Sequence, residues 1–258
     1  MLSLDSAIIG GWLSGIVFPL FRIAGMLMVA PIFGTQLVPA RVRIAFSVLI
    51  TLAVYPHLPA MPSLDLVSLP AFLIVGQQLL IGVAMGFVLV ILLQMFVVAG
   101  QIIAMQMGLG FASMVDPSNG VSVTVLSQFH LMMVTLLFLA MNGHLVMIEV
   151  LVESFYSLPV GMGFISDNRL WELASWGSWL FGSALLISLP AVASMLIINF
   201  SLGVITRAAP QLNIFAVGFP AMMVMGLCIV WVTINSYLPQ FDGYARQALD
   251  MMSMMVAR

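Results

Sequence analysis

The chain has 258 residues, a formal net charge of −2, 63% hydrophobic residues and only 6% charged ones. A soluble domain carries about a quarter charged residues and has too little interior for this much apolar surface, so lipid or other apolar helices must cover it. The acidic balance argues against a nucleic-acid partner, which requires basic surface.

Charges are rare enough to punctuate the chain. The first six residues hold Asp5 and no Lys or Arg. That is unlike the basic start of a cleaved leader, so the first apolar segment is expected to stay in the mature protein. Hydrophobic segments are expected at about 6–30, 41–56, 69–100, 121–157, 171–206 and 211–240, because a spanning helix needs roughly 20 apolar residues. Closed barrels alternate polar and apolar residues and these runs do not, so the fold is read as all-α, a polytopic membrane protein in one domain.

The first segment contains Arg22. A charge there is costly, and it needs either a buried partner or a route to the interface by snorkelling. Gly11-x-x-x-Gly15 and Gly82-x-x-x-Gly86 are spaced to let helix backbones approach. Further on, 173–206 and 208–241 are charge-free and of equal length, flanking Arg207 like a hairpin. A continuous helix over either run would be about 50 Å long, against a hydrocarbon core of about 30 Å. Either the helices break, at Pro190 and at Gly218-Phe219-Pro220, or other chains cover part of them. The serines and Asn199 in 171–206 favour the second. The chain has no lysine, so orientation follows arginine. With six spans, Arg41, Arg43 and Arg207 fall on one side, read as cytoplasmic, with both termini outside.

No catalytic set emerges. His130 and His144 stand fourteen residues apart, about 21 Å along a helix, too far to share a metal. They read as polar contacts or interfacial anchors. Glu149 and Glu153 share a helix face, as a helix end reaching solvent or as a transporter's proton or cation site. No metal or cofactor is expected. The one cysteine, Cys228, excludes an internal disulfide.

The most informative stretch runs from Met105 to Gly120. It holds Met105, Met107, Gly108, Leu109, Gly110, Phe111 and Met114, then Asp116-Pro117-Ser118-Asn119-Gly120. Gly108 and Gly110 weaken helix, and the last five residues read as a turn. An ordinary interhelical loop is one reading. Apolar side chains on a Gly-rich backbone also suit a hydrophobic constriction that blocks ions by dewetting. Methionine occurs 22 times in all, and it suits surfaces that repack.

Phe21-Arg22, Ala30-Pro31-Ile32-Phe33-Gly34 and Pro39-Ala40-Arg41-Val42-Arg43 resemble the start of the FliR family, a membrane component of flagellar and type III export apparatus. The likeness continues through Gly108 to Pro117, Leu189-Pro190, Thr206 to Phe215 and Gly218-Phe219-Pro220. The resemblance implies a FliP-like part followed by a FliQ-like helical hairpin. In domain terms these are residues 1–160, with a plug loop at 106–122, and 171–240. It also implies a gate built with FliP and FliQ homologues, with FlhB associated, in the inner membrane within the flagellar basal body. Unfolded polypeptides pass through such a gate. Arg207, Pro210, Gln211 and Asn213 are expected at a partner-contact loop, with FlhB as the partner. The alternative to a structural gate subunit is a secondary transporter of a small solute, with a midplane site at broken helices.

Overall fold

The computed structural model describes residues 6–35, 37–62, 68–110, 124–161, 167–209 and 214–256, with backbone alone for 6–13, 167, 170 and 214–217. It is helical throughout the described residues: α1 (Ser6–Val29), α2 (Ala40–Val54), α3 (Leu69–Gln106), α4 (Val125–Ala140), α5 (Gly143–Ser157), α6 (Asp167–Ala208), α7 (Ile214–Thr233) and α8 (Tyr237–Val256). Short 3-10 turns at Tyr55–His57 and Ile234–Ser236 follow α2 and α7. The protein is an all-α polytopic membrane protein. Among the described residues, three helical runs are long and apolar enough to cross a bilayer, Leu69–Gln106, Trp171–Ala208 and Gly218–Val256, and the α4–α5 pair makes a fourth if counted as one span. That is fewer than the six expected segments. At 15 residues α2 spans about 22 Å, short of the bilayer's hydrocarbon core.

Breaks at Pro190 and Pro220, the less favoured of the two readings of these over-long runs, do not occur: both prolines lie inside continuous helices, α6 and α7. One proline removes one hydrogen bond of the ladder, and membrane helices absorb this through local adjustment. The real interruption is at Met141–Asn142. Asn142 takes a left-handed conformation at φ 57°, which Asn tolerates better than most residues. A Cβ at Gly143 would lie 2.5 Å from the Phe138 ring, so glycine is required where the chain bends.

The chain forms two compact units. One comprises Met1–Ile91, Phe138–Trp176 and Arg246–Arg258; the other comprises Leu92–Leu137 and Gly177–Ala245. In the first unit α1 lies backbone to backbone on α3. A Cβ on Gly82 would fall 2.0 Å from the Arg22 carbonyl oxygen, one on Gly86 2.8 Å from that of Met26, and one on Gly25 2.4 Å from that of Leu79. The Gly82-x-x-x-Gly86 spacing thus brings two helices together, whereas Gly15 faces the Tyr55 ring. Phe18, Ala71, Phe155 and Val160 form this unit's core. The turn after α1 holds Ile32 at φ 77°, a strained conformation for a β-branched residue.

In the second unit Ile103, Ala104 and Met107 of α3 pack with Leu126 of α4, Ala191 and Met195 of α6, and Val230 of α7. Phe96 stacks near Tyr237, Phe241 and Tyr244. Much of α6 and α7 faces outward with large apolar side chains, including Phe181, Ile197, Phe200, Trp231 and Val232. At 42 residues α6 is about 63 Å long, twice the hydrocarbon thickness.

Candidate functional site

The last turn of α3 delivers the chain into the segment singled out by sequence. Leu109 N–H donates to Ala104 O at 3.0 Å and Gly108 N–H to Met105 O at 3.1 Å, with Gly108 at φ 79°. This is a Schellman stop, in which a left-handed glycine satisfies the final carbonyls of the helix. Gly108 therefore has a defined task in ending α3. Met107, just before it, is wholly buried in the second unit's core, while Met105 is 64% exposed. Leu109 and Gly110 are half-buried. Phe111, Met114, Asp116 and Pro117 lie outside the described residues.

The return of the chain is pinned to the same helix. Thr124 caps α4, its hydroxyl accepting from Ser127 N–H at 3.3 Å. Gln101 of α3 accepts from Thr124 N–H at 3.2 Å and from the Ser127 hydroxyl at 3.1 Å. Both ends of the segment are thus fixed at the C-terminal end of α3. The sequence reading singled out neither residue; a threonine before an apolar run is a capping signal that could have found Thr124, whereas Gln101 carries none.

Below this junction His130 is buried. Its Nδ1 lies 2.7 Å from Leu126 O and its Nε2 2.5 Å from the Tyr237 hydroxyl. A carbonyl only accepts, so Nδ1 carries the proton and the tyrosine donates to Nε2. A Cβ at Gly100 would come within 2.9 Å of the ring, so that glycine makes room for it. The histidine is a polar contact between helices, as read from sequence. Glu149 and Glu153 are both exposed on α5.

Arg22 is also decided. It is fully buried and does not snorkel. Its Nε donates to Gln78 Oε1 at 2.7 Å, Nη1 to Ser154 O at 2.8 Å and to Ser154 Oγ at 3.0 Å, and Nη2 to Leu158 O at 2.9 Å. The guanidinium lies 4.2 Å from the centre of the Phe155 ring. All four acceptors are neutral. The charge is balanced by the negative end of the α5 dipole, worth roughly half an elementary charge, and by the face of an aromatic ring. One side chain from α1 thereby ties α3 and the end of α5 together.

Arg207 is exposed in the last turn of α6, where a cation suits the helix C-terminus. Pro210, Gln211 and Asn213 lie outside the described residues. Among the described residues, no three or more His, Cys, Asp or Glu side chains are grouped to hold a metal.

Comparison with known proteins agrees with this architecture. The family model for bacterial export proteins, family 1, matches residues 13–248. The chain is 38% identical over 219 residues to the flagellar biosynthetic protein FliR of Escherichia coli (strain K12), covering 85% of this chain and 84% of that protein. It is 37% identical over 250 residues to FliR of Pectobacterium carotovorum subsp. carotovorum, covering 95% and 92% respectively. The likeness extends to FliR of Bacillus subtilis (strain 168), at 27% identity over 235 residues. With a helical membrane fold and a match along nearly its whole length, the chain belongs to the FliR family of bacterial export proteins.

Proposed function

We propose that the chain is a structural, pore-forming subunit of the flagellar export gate in the bacterial inner membrane. It assembles with FliP, FliQ and FlhB homologues, and unfolded polypeptides pass through the assembly. In this reading residues 1–160 are the FliP-like part and 171–240 the FliQ-like hairpin, and no residue performs a chemical step. The observation that carries the reading is α6: about 63 Å of helix bearing outward Phe181, Ile197 and Phe200. Lipid covers at most half of that length, so neighbouring helices are needed for the rest. The segment 106–122 is the plug, held at its two ends by the Gly108 stop and the Gln101–Thr124 contacts. The solute-transporter alternative called for helices broken at Pro190 and Pro220, and both run through unbroken.

In this assembly the tip of the α6–α7 hairpin, with Arg207, Pro210, Gln211 and Asn213, faces the cytoplasm and meets FlhB. The test uses Gln211→Cys in a Cys228→Ser background. Crosslinking in cells with a reagent that joins the introduced thiol to a neighbouring amine is expected to yield a product containing the FlhB homologue. Labelling of position 211 only from the periplasmic side would overturn the orientation and this partner contact.

A further inference from the structure

We propose that the outward stripe of α2 is a binding site for an anionic glycerophospholipid, with the phosphate at Arg41 and an acyl chain along Val48, Leu49 and Leu52. The helix packs on α1, and its buried residues are Ser47 and Thr51. Their hydroxyls donate to the carbonyls of Arg43 and Ser47, at 2.8 and 2.6 Å, so both are satisfied within the helix. The large aliphatic side chains point the other way. Leu49 is 63% exposed and Leu52 52%, with Val48 exposed beside them. A surface helix in water shows the opposite arrangement, with its polar face outward. The side of α2 that leaves the protein is therefore built for an apolar medium.

Charge selects the kind of molecule that meets it. By helical periodicity Arg41, Ala45, Val48, Leu49 and Leu52 fall on one face, with the arginine at its head. Arg41 is exposed and has no hydrogen bond or ion pair among the described residues. Arg43, further round the helix, donates from Nη2 to Thr35 O at 3.1 Å and to Val38 O at 2.9 Å, so its charge meets neutral groups. No Asp or Glu stands between Asp5 and Asp65. One end of α2 thus carries two cations above an aliphatic stripe, and a phosphodiester supplies the missing anion. From Arg41 to Leu52 the helix rises about 16 Å. That matches half of a hydrocarbon core of about 30 Å, the depth of one acyl chain. A partner helix fits this face less well. Helix interfaces in membranes use small and hydroxyl residues for close approach; α2 has no glycine, and its two hydroxyl residues already face inward.

The test uses the chain co-expressed with its partner subunits and extracted in mild detergent. The complex is stripped of lipid by washing and incubated with equal amounts of dioleoyl phosphatidylglycerol and dioleoyl phosphatidylethanolamine. Native mass spectrometry reads both the assembly and the lipid retained. A phosphatidylglycerol with a photoreactive acyl chain then maps the contact. The parent is expected to retain phosphatidylglycerol in preference, with crosslinks within 45–52. Arg41→Gln is expected to lower that preference about five-fold, the effect of one arginine near an anionic lipid surface, and Arg41→Lys to keep it. Leu49→Gln with Leu52→Gln is expected to remove the crosslinks. Where Arg41→Gln does not assemble, the parent decides: its crosslinks are expected to be displaced by unlabelled phosphatidylglycerol and not by phosphatidylethanolamine, and equal displacement overturns the site. Equal retention of the two lipids, a preference unchanged in Arg41→Gln, or crosslinks confined to other helices overturns it as well. A photoreactive amino acid at position 49 that captures a partner subunit instead of lipid overturns it too, and makes the stripe a protein contact.

Discussion

Replacing Arg22 by alanine is expected to destabilise the protein by about 3–5 kcal/mol, since each buried acceptor that loses a charged donor costs about 1–3 kcal/mol and the packing of the arginine stem is lost with it. The truncation takes the charged donor from Gln78 Oε1 and the Leu158 carbonyl, while Ser154 keeps Leu158 N–H on its carbonyl and its own hydroxyl bond to Leu151 O. It also removes the cation facing the Phe155 ring and the C-terminus of α5. Arg22→Lys should recover only part of the loss. An ammonium carries the charge but not the planar fork that reaches acceptors on α3 and beyond α5 together. The packing of α1 on Gly82 compounds the effect, because the Arg22 backbone has no slack to move toward a new partner. The order parent, lysine, alanine is read from thermal midpoints of the purified protein in its assembly. The full loss corresponds to a shift on the order of 10 °C. A lysine variant as stable as the parent would show that the charge alone matters and the fork does not.

Deleting Phe111 to Ser118 is expected to make the idle gate leak while assembly persists. A passage wide enough for a polypeptide would otherwise conduct ions, and each charge crossing releases about 2.3 kcal/mol per 100 mV of membrane potential. The deletion leaves the Gly108 stop and the Thr124 cap in place, so α3 and α4 keep their ends. On the proposed plug reading, what is lost is the apolar Phe111 and Met114, residue types suited to a constriction that excludes ions by staying dry. The measurement is conductance of the reconstituted complex in planar bilayers without substrate. Parent-level conductance in a deletion that still assembles would reduce the segment to a connector.

The helices were legible because membrane segments are written in long charge-free runs, and α3 and α6 follow those runs closely. What the runs hid was local. Met141-Asn142-Gly143 interrupts the fourth segment through one left-handed residue and one close ring contact, neither of which alters hydrophobicity. The prolines left two readings open, and α6 and α7 continue through them. The last helix, α8, was missed because Asp242, Arg246 and Asp250 end the apolar run. The burial of Phe241, Ala248, Met252 and Met255 along one stripe marks an amphipathic helix rather than an exit from structure. Of the site, the glycines and methionines around 108 were visible as a pattern. The burial of Met107 beside an exposed Met105 was not, because it depends on packing against Gly226, more than a hundred residues away. Likewise Arg22 left burial and snorkelling both open, because its partners are a helix end and neutral groups, which no charge pattern reveals.

The most direct test of the gate reading is the composition of the particle that contains this chain. The protein, tagged and expressed with its neighbouring export proteins, is extracted in mild detergent and weighed by native mass spectrometry. The expected result is one heteromeric complex holding this chain with FliP and FliQ homologues, and aggregation or degradation when it is expressed alone, because the outward faces of α6 and α7 then lack cover. A monodisperse, folded monomer that associates with neither homologue would contradict the account.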